Sequence, residues 1–361
     1  MRKGLAVVAV LWAATAVGGE LDSALASLGA PVLGGNAQRV SAVRIEVGNA
    51  VFTLDGEIEA LLAAEKRVGY VFAGSGRLDL SIVEGPFHRA NLTNLEDDLK
   101  WKPGPEGVFT HRFGSAVFFT PRIPDDLFSG EKVTSTSLAA VVDRSLERWS
   151  KTRMPQLDHL LASFVFEPPR GEVVLGLLWD GDGDALYTVD TADDRTERYG
   201  RWDKRTSSWG TDHFIDLTIV QPTEKDLRRR PMPSLMQTAI DLELVSRDNT
   251  NATERTTTEL VAVHPGTRLI DFGFRNGRSE GPKDWHEQDV PITVRRVVRS
   301  DGSALEFSHK YHRLLVLLPQ ALKAGEKVTL TVEAEGGFLK NFSGDNYLVL
   351  GNWEYLPQLE I

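Results

Sequence analysis

From Val40 onward the apolar residues of this chain recur at every second position in short runs broken by turn residues. That period places side chains alternately on two faces of an extended chain, as in strands with one buried face. Val43-Arg44-Ile45-Glu46-Val47, Val51-Phe52-Thr53-Leu54, Tyr70-Val71-Phe72-Ala73 and Leu78-Asp79-Leu80-Ser81-Ile82 are such runs, with Gly48-Asn49, Asp55-Gly56 and Gly74-Ser75-Gly76 expected as the turns between them. Residues 21–37, small and Gly-rich, read as a lead-in.

The period changes once. Across 136–151 Leu138, Val141, Val142, Leu146 and Trp149 recur at helical spacing behind Thr136 or Ser137 as cap, and Pro155 opens a second short helix with Leu157, Leu160, Leu161 and Phe164 on one face. Strands resume over 172–179 and 185–189 around Asp180-Gly181-Asp182-Gly183-Asp184, which reads as a hairpin. The stretch 190–212 is polar with interspersed aromatics, and Phe214 to Val220 is a further strand. Residues 221–234 combine Pro222, Pro231 and Pro233 with six charges, so a boundary is expected near Pro231. Beyond it Ile240, Leu242 and Leu244 alternate with Asp241 and Glu243, and Ile292/Val294, 314–318 and Val328/Leu330/Val332 continue the strand pattern. Asp301-Gly302 is a hairpin-turn candidate between 294–298 and 305–307. The fold class expected is mainly β: an α+β unit over 38–230 with a short helical pair, then an antiparallel β-sandwich over 231–361.

Composition narrows the function. At 361 residues and 41% hydrophobic content the chain has material for sizeable cores, and its formal charge of -10 argues against a nucleic-acid partner. The basic run Arg228-Arg229-Arg230 reads as a solvated part of the linker. There is no cysteine, which removes disulfides, thiol catalysis and thiolate metal sites. Arg2 and Lys3 followed by an uncharged apolar stretch, Gly4 to Val17, read as a signal peptide within 1–26, cut after Gly18 or after Ala26; an uncleaved anchor is the alternative. The apolar stretch falls short of the roughly 20 residues of a helical span, so no stable membrane span is expected after its removal, and the location expected is periplasmic or secreted. Sequons stand at Asn91, Asn251 and Asn341.

The chemical motifs are incomplete. Asp180 to Asp184 opens like a calcium loop, but Ala185 and Thr191 occupy the positions that need Gly and Glu, which favours a plain hairpin turn. His286-Glu287 begins a zinc helix that fails at Val290-Pro291. His309 and His312 read as exposed strand histidines, and Trp202, Trp209 and Phe214 as core aromatics, with a carbohydrate or peptide groove as the alternative.

The segment from Met236 onward resembles the amino-terminal β-domain of zinc aminopeptidases of the membrane alanyl aminopeptidase type. The residues that carry the resemblance are Ile240-Asp241-Leu242-Glu243-Leu244, then Val294 to Val298 with Asp301-Gly302, Leu305 and Phe307. Leu314-Leu315-Val316-Leu317-Leu318-Pro319 follows, with Leu322, Gly325-Glu326, Leu330 and Val332, and Trp353-Glu354-Tyr355-Leu356-Pro357 looks like the family's entry to the catalytic domain. Residues 40–230 are similar to the extra domain preceding this one in large exported bacterial members, best at Val71-Phe72-Ala73-Gly74-Ser75-Gly76-Arg77. The family's His-Glu-x-x-His, its downstream glutamate, its catalytic tyrosine and its Gly-x-Met-Glu-Asn strand have no counterpart here. No residue is therefore assigned a catalytic, cofactor-binding or metal role. The resemblance implies a non-catalytic amino-terminal portion of an exported aminopeptidase-like protein, with zinc only in a missing catalytic domain that would be its partner. The alternative is a stand-alone extracytoplasmic module for peptides or glycans. A carboxylate-based hydrolase is a third reading, since 51 acidic residues leave a facing pair open.

Overall fold

The computed structural model describes residues 19–82, 88–102, 107–122, 125–150, 157–167, 173–180, 184–190, 197–203, 213–220, 235–246, 251–276, 291–341, 348–350 and 358–359. The chain is mainly β, an α+β unit followed by an antiparallel sandwich.

The first unit is one ten-stranded antiparallel sheet built from β1 (Val32–Leu33), β2 (Gln38–Val47), β3 (Ala50–Ala63), β4 (Lys66–Ser81), β5 (Val108–Phe119), β6 (Glu131–Lys132), β7 (Val173–Trp179), β8 (Asp184–Asp190), β9 (Glu197–Asp203) and β10 (His213–Val220). The order is β10-β9-β8-β7-β5-β4-β3-β2-β6, with β1 also on β3. Helices α1 (Glu20–Leu28), α3 (Leu138–Ser150) and α4 (Leu157–Phe166) bury Leu21, Leu28, Leu138, Trp149 and Leu161 in one cluster with Val71, Val117 and Leu177 of the sheet. The other face is aromatic, with Phe52 at 5.1 Å from Phe118 and 5.2 Å from Tyr187, and α2 (His88–Leu99) adds Leu95 to it.

The sheet is curled. Six strand spacings separate β2 from β9, which in a flat sheet is about 29 Å at about 4.8 Å each. Instead Glu197 of β9 accepts the Asn49 backbone N–H at 3.0 Å and its side-chain Nδ2–H at 2.7 Å, at the β2–β3 turn. The Tyr187 hydroxyl, 2.7 Å from Glu197 Oε1 and 2.9 Å from the Val47 carbonyl, completes this buried closure.

Several expectations need correction. Asp55-Gly56 and Gly74-Ser75-Gly76 are not turns but lie inside β3 and β4, whose lengths are 14 and 16 residues. Gly56 and Gly74 face each other across the ladder, where a Cβ on Gly56 would stand 2.3 Å from the Ala73 carbonyl oxygen. These glycines permit a close backbone approach. Residues 21–37 are not a bare lead-in, because α1 runs through residue 28 and buries Leu21, Ala24, Leu25 and Leu28. The polar stretch 190–212 contains β9, whose Tyr199 and Trp202 turn inward, and α2 arises from a segment of weak apolar period. The helical pair matches its expected residues closely as α3 and α4.

The second unit contains β11 (Leu235–Ser246), β12 (Ala252–Ala262), β13 (Leu269–Gly273), β14 (Thr293–Arg299), β15 (Glu306–Lys310), β16 (Arg313–Leu317), β17 (Lys327–Gly336), β18 (Leu339–Asn341), β19 (Leu348–Leu350) and β20 (Gln358–Leu359). Sheets β11-β12-β17-β14 and β15-β16-β13-β20 close on Ile270, Phe272, Leu314, Val316, Leu330 and Val332, while β18 and β19 pair separately. Asp301-Gly302 turns the chain as expected: the Arg299 N–H bonds the Ser303 carbonyl and the Leu305 N–H the Val297 carbonyl, both at 2.9 Å, around an antiparallel bridge of Val298 with Ala304, and only beyond this short hairpin does β15 pass into the other sheet. Ile240 in β11 is 44% exposed, because β11 is an edge strand whose partners across the ladder are Thr258, Thr256 and Glu254.

The two units share apolar contacts. Leu269, Leu315 and Leu317, on the sandwich's outer face, belong to the same cluster as α1 and α4. Glu306 accepts the Leu21 backbone N–H at 2.9 Å, taking one of the unpaired donors at the start of α1. Arg268 grips Glu20 with two bonds of 2.7 and 2.5 Å and holds that carboxyl below its usual range. A Cβ on Gly19 would lie 2.3 Å from the Glu306 carboxylate, so a larger residue there would displace that side chain from the start of α1. Residues 221–234, with the expected boundary and the arginine run, lie outside the described residues.

Candidate functional site

The polar side chains that the sequence singled out are engaged in structure. β7 and β8 form the expected hairpin, pairing Trp179 with Asp184, while Gly181 to Gly183 lie outside the described residues. Asp184, 5% exposed, receives Arg144 at 2.8 Å and Arg148 at 2.5 Å from successive turns of α3. Those guanidiniums lie 4.1 Å over the rings of Trp179 and Trp202 respectively. Trp202 is thus core, as expected, and Trp209 lies outside the described residues.

His309 and His312 are not exposed strand residues. His309 stacks on Phe274 at 4.9 Å, with its Nε2 2.9 Å from the Phe274 carbonyl, and His312 Nδ1 accepts the Asn276 N–H at 3.3 Å. Tyr311 and His312 form the β15–β16 turn with φ of 53° and 61°, a strained pairing for two bulky residues. Tyr311 meets the ring of buried His159 of α4 edge-on at 5.3 Å, which ties that turn to the first unit. Burial, followed by Arg313, Lys310 and His309, drives the His159 pKa down to about 4. His286-Glu287, Trp353 to Pro357 and residues 1–18 lie outside the described residues. Asn91 is a buried sequon whose amide bonds both polar groups of Ile219 at 2.9 Å, so its nitrogen is committed in the folded chain.

Three further polar centres carry no sequence signature. His111 on β5, 9% exposed, sets Nε2 3.4 Å from Asp180 Oδ2; burial lowers its pKa while Asp180 opposes that shift. Glu254 on β12 is 2% exposed, receives the Thr256 hydroxyl, and is pushed up to about 8 by burial. Among the described residues, no three His, Asp or Glu side chains converge as a metal site requires.

The third centre is a cleft of about 360 Å³ where the sheet edge changes hands. β3 pairs with β2 up to Ile58 and with β1 at Leu61 and Leu62, and the chain turns the corner through 34–36. Glu59, 5% exposed, fixes this corner by accepting the backbone N–H groups of Gly35 (2.5 Å) and Asn36 (3.1 Å), both on Oε1. Gln38, 8% exposed, lines the cleft, and its buried Oε1 has no hydrogen-bond partner. Lys132, directly across the ladder from Gln38, and Arg67, whose guanidinium lies 5.7 Å over the Phe128 ring, form the rim. The arrangement is a buried acceptor floor beneath a cationic, aromatic rim. The Asn36-Ala37-Gln38 and Glu59 signals are too ordinary to have been found in the sequence.

No family model matches the chain, and no curated protein matches it. Among solved structures it is similar to the M1 zinc metallopeptidase from Deinococcus radiodurans, 17% identical over 35% of this chain and 29% of that one, with a TM-score of 0.26. A mutant of the Deinococcus radiodurans M1 zinc metallopeptidase bound to a Tyr-Ser-Ala substrate matches 32% of this chain and 23% of its own, at 17% identity and a TM-score of 0.24. A CBM3a-L domain with flanking linkers from the scaffoldin cipA of the Clostridium thermocellum cellulosome is 12% identical over 29% of this chain and 67% of its own, with a TM-score of 0.15. The chain spans about a quarter of the length of the metallopeptidase structures it matches.

Proposed function

We propose that this chain is the non-catalytic amino-terminal portion of an exported aminopeptidase-like protein, packing on a catalytic domain or shaping access to it. The observation that supports this reading is where the resembling segments fall. Ile240 to Leu244, Val294 to Val298, Leu314 to Leu317, and Leu330 with Val332 sit in β11, β14, β16 and β17, which build one sandwich. In this reading residues 1–18 are the exported leader, and a cut after Gly18 leaves α1 whole, whereas a cut after Ala26 removes Leu21, Ala24 and Leu25 from a buried cluster. The chain alone binds no stoichiometric zinc and cleaves no aminoacyl substrate. Reading the transcript past codon 361 tests the proposal: an in-frame His-Glu-x-x-His domain supports it, and a stop with nothing similar downstream overturns it. Elemental analysis with a fluorogenic aminoacyl assay tests the chemistry, and near-equimolar zinc with chelator-sensitive turnover would refute it. The second reading, an extracytoplasmic module for peptides or glycans, draws its support from the cleft beside Glu59.

A further inference from the structure

We infer that the open edge of β11 is a docking surface for an extended segment of another polypeptide, one in which apolar residues alternate with lysine or arginine, added as a further strand beside β11. This surface belongs to the sandwich alone and does not depend on the reading above.

The edge is open. β11 pairs with β12 along one side from Leu235 to Ser246, and among the described residues no strand pairs with its other side. Four large apolar side chains stand exposed among the described residues, and three of them, Met236, Ile240 and Val245, are on this one strand. The backbone N–H and C=O groups along such an edge are a template for another strand, and proteins usually blunt a long one with lysine, proline, a bulge or inward-pointing charge. β11 has a bulge at Thr238, but from there to Ser246 it has no lysine, no proline and no charge on its inward face.

Register sets what the added strand must carry. Ile240, Leu242 and Leu244 lie opposite Thr258, Thr256 and Glu254, all buried, so the three apolar residues face inward, yet Ile240 is exposed and the leucines only half-buried. Apolar residues on a neighbouring strand would cover them. Asp241 and Glu243 point to the other face. There Glu243 begins a row that crosses the sheet through Arg255, Glu333 and Arg296, with the sign of charge alternating at each strand. The row ends on an acid at the open edge. Asp241 stands two residues away on the same face, opposite the uncharged Thr257. Both acids are exposed and, among the described residues, neither is in an ion pair. A lysine or arginine opposite each continues the alternation, and an acid there would repel.

A second copy of β11 does not fit this edge. The strand holds two acids and no base, so pairing it with itself in any register sets no cation against Asp241 or Glu243. The occupant is therefore a different strand, recognised through backbone hydrogen bonds and alternate side chains, as in other strand-addition complexes.

Fluorescence anisotropy of the full chain with labelled peptides of about eight residues tests this. A peptide of alternating valine and lysine is expected to bind saturably, and one of alternating valine and glutamate at least roughly tenfold more weakly, because two favourable cross-strand pairs become unfavourable. N-methylation of every second residue of the lysine peptide should abolish binding in one phase and leave it in the other, since only alternate N–H groups face a given neighbour. Asp241→Lys combined with Glu243→Lys should invert the preference between the two peptides. Asp97→Lys combined with Asp98→Lys on α2, an equal change of net charge at exposed positions, should leave the preference in place. Ile240→Asp puts a charge on the inward face and should remove binding of both peptides; if that variant does not fold, the doubly charged variant still decides. Equal binding of the lysine and glutamate peptides, the same result in both N-methyl phases, or no saturable binding overturns the proposal. Self-association in sedimentation that Ile240→Asp abolishes overturns it in favour of a second copy.

Discussion

Leu314 and Leu315 are neighbours on β16, both 0% exposed, and they point in opposite directions. Leu314 enters the sandwich core with Phe272 and Leu330, whereas Leu315 enters the cluster that holds Leu21, Leu25 and Leu161 of α1 and α4. Truncation of a buried leucine to alanine costs about 2–5 kcal/mol, the sum of lost transfer energy and the cavity left behind. If Leu315 helps hold α1 and α4 on the sandwich, Leu315→Ala raises the population in which that joint is open by roughly 30-fold to a few thousand-fold, at 1.4 kcal/mol per factor of ten. Hydrogen exchange read by mass spectrometry resolves the consequence. Peptides covering 20–28 and 157–166 are expected to exchange faster in Leu315→Ala, while β12 and β17 keep most of their protection. Leu314→Ala is expected to do the reverse, loosening β12 and β17 first. Arg268→Ala is a useful comparison, because its partly exposed pair with Glu20 is worth less than about 1 kcal/mol and should change the same peptides only slightly. Unchanged protection of α1 and α4 in Leu315→Ala, or one identical pattern for both leucine variants, would refute a joint carried by this face of β16.

Glu254 holds a proton in the folded chain up to about pH 8 but releases it near 4.5 when unfolded. Stability is therefore greatest below about 4.5 and is lost as pH rises toward 8, by an amount on the order of a few kcal/mol; Glu254→Gln should abolish that slope in urea midpoints measured from pH 4.5 to 8.5. His159 has the opposite sense, since its folded pKa is depressed to about 4 from 6.5: stability is full above about 6.5 and falls as acid protonates the unfolded chain first. His159→Phe should flatten the thermal midpoint between pH 6.5 and 4, and an unaltered slope would mean that other groups set it. Under the proposed reading of residues 1–18 as a leader, intact mass of the processed protein is expected to place the amino terminus at Gly19, and a terminus at Ser27 would contradict the packing of α1.

The parts of the fold written in local period were legible. Leu138, Val142 and Trp149 announced α3 because a helix repeats its buried face within a few residues, and two apolar runs on either side of Asp180 to Asp184 announced the β7–β8 hairpin, because strands buried on both faces read as continuous apolar runs broken by a turn. Gly56 and Gly74 misled because glycine serves turns and close strand approach alike, and only the partner strand distinguishes the two uses. Ile240 was legible as strand but not as exposed, since its surroundings are set by Thr258 and Thr256 on a neighbouring strand. The cleft was invisible. Gln38, Glu59, Phe128 and Lys132 are assembled by the handover of β3 from β2 to β1 and by the short pairing of β6, which leave no periodic trace.

The place of α1 in the structure has a consequence for the order in which the chain matures. Its backbone partner Glu306 follows Leu21 by 285 positions, and Leu315 and Leu317 come later still. At about 5–20 residues per second, synthesis leaves an apolar helix waiting roughly 15 to 60 s for the surface that covers it. An element made early is thus among the last to be finished. Its early companions, α4 and the sheet, can shelter only part of its apolar face, so whatever escorts the growing chain must keep this segment from other partners until the sandwich has emerged.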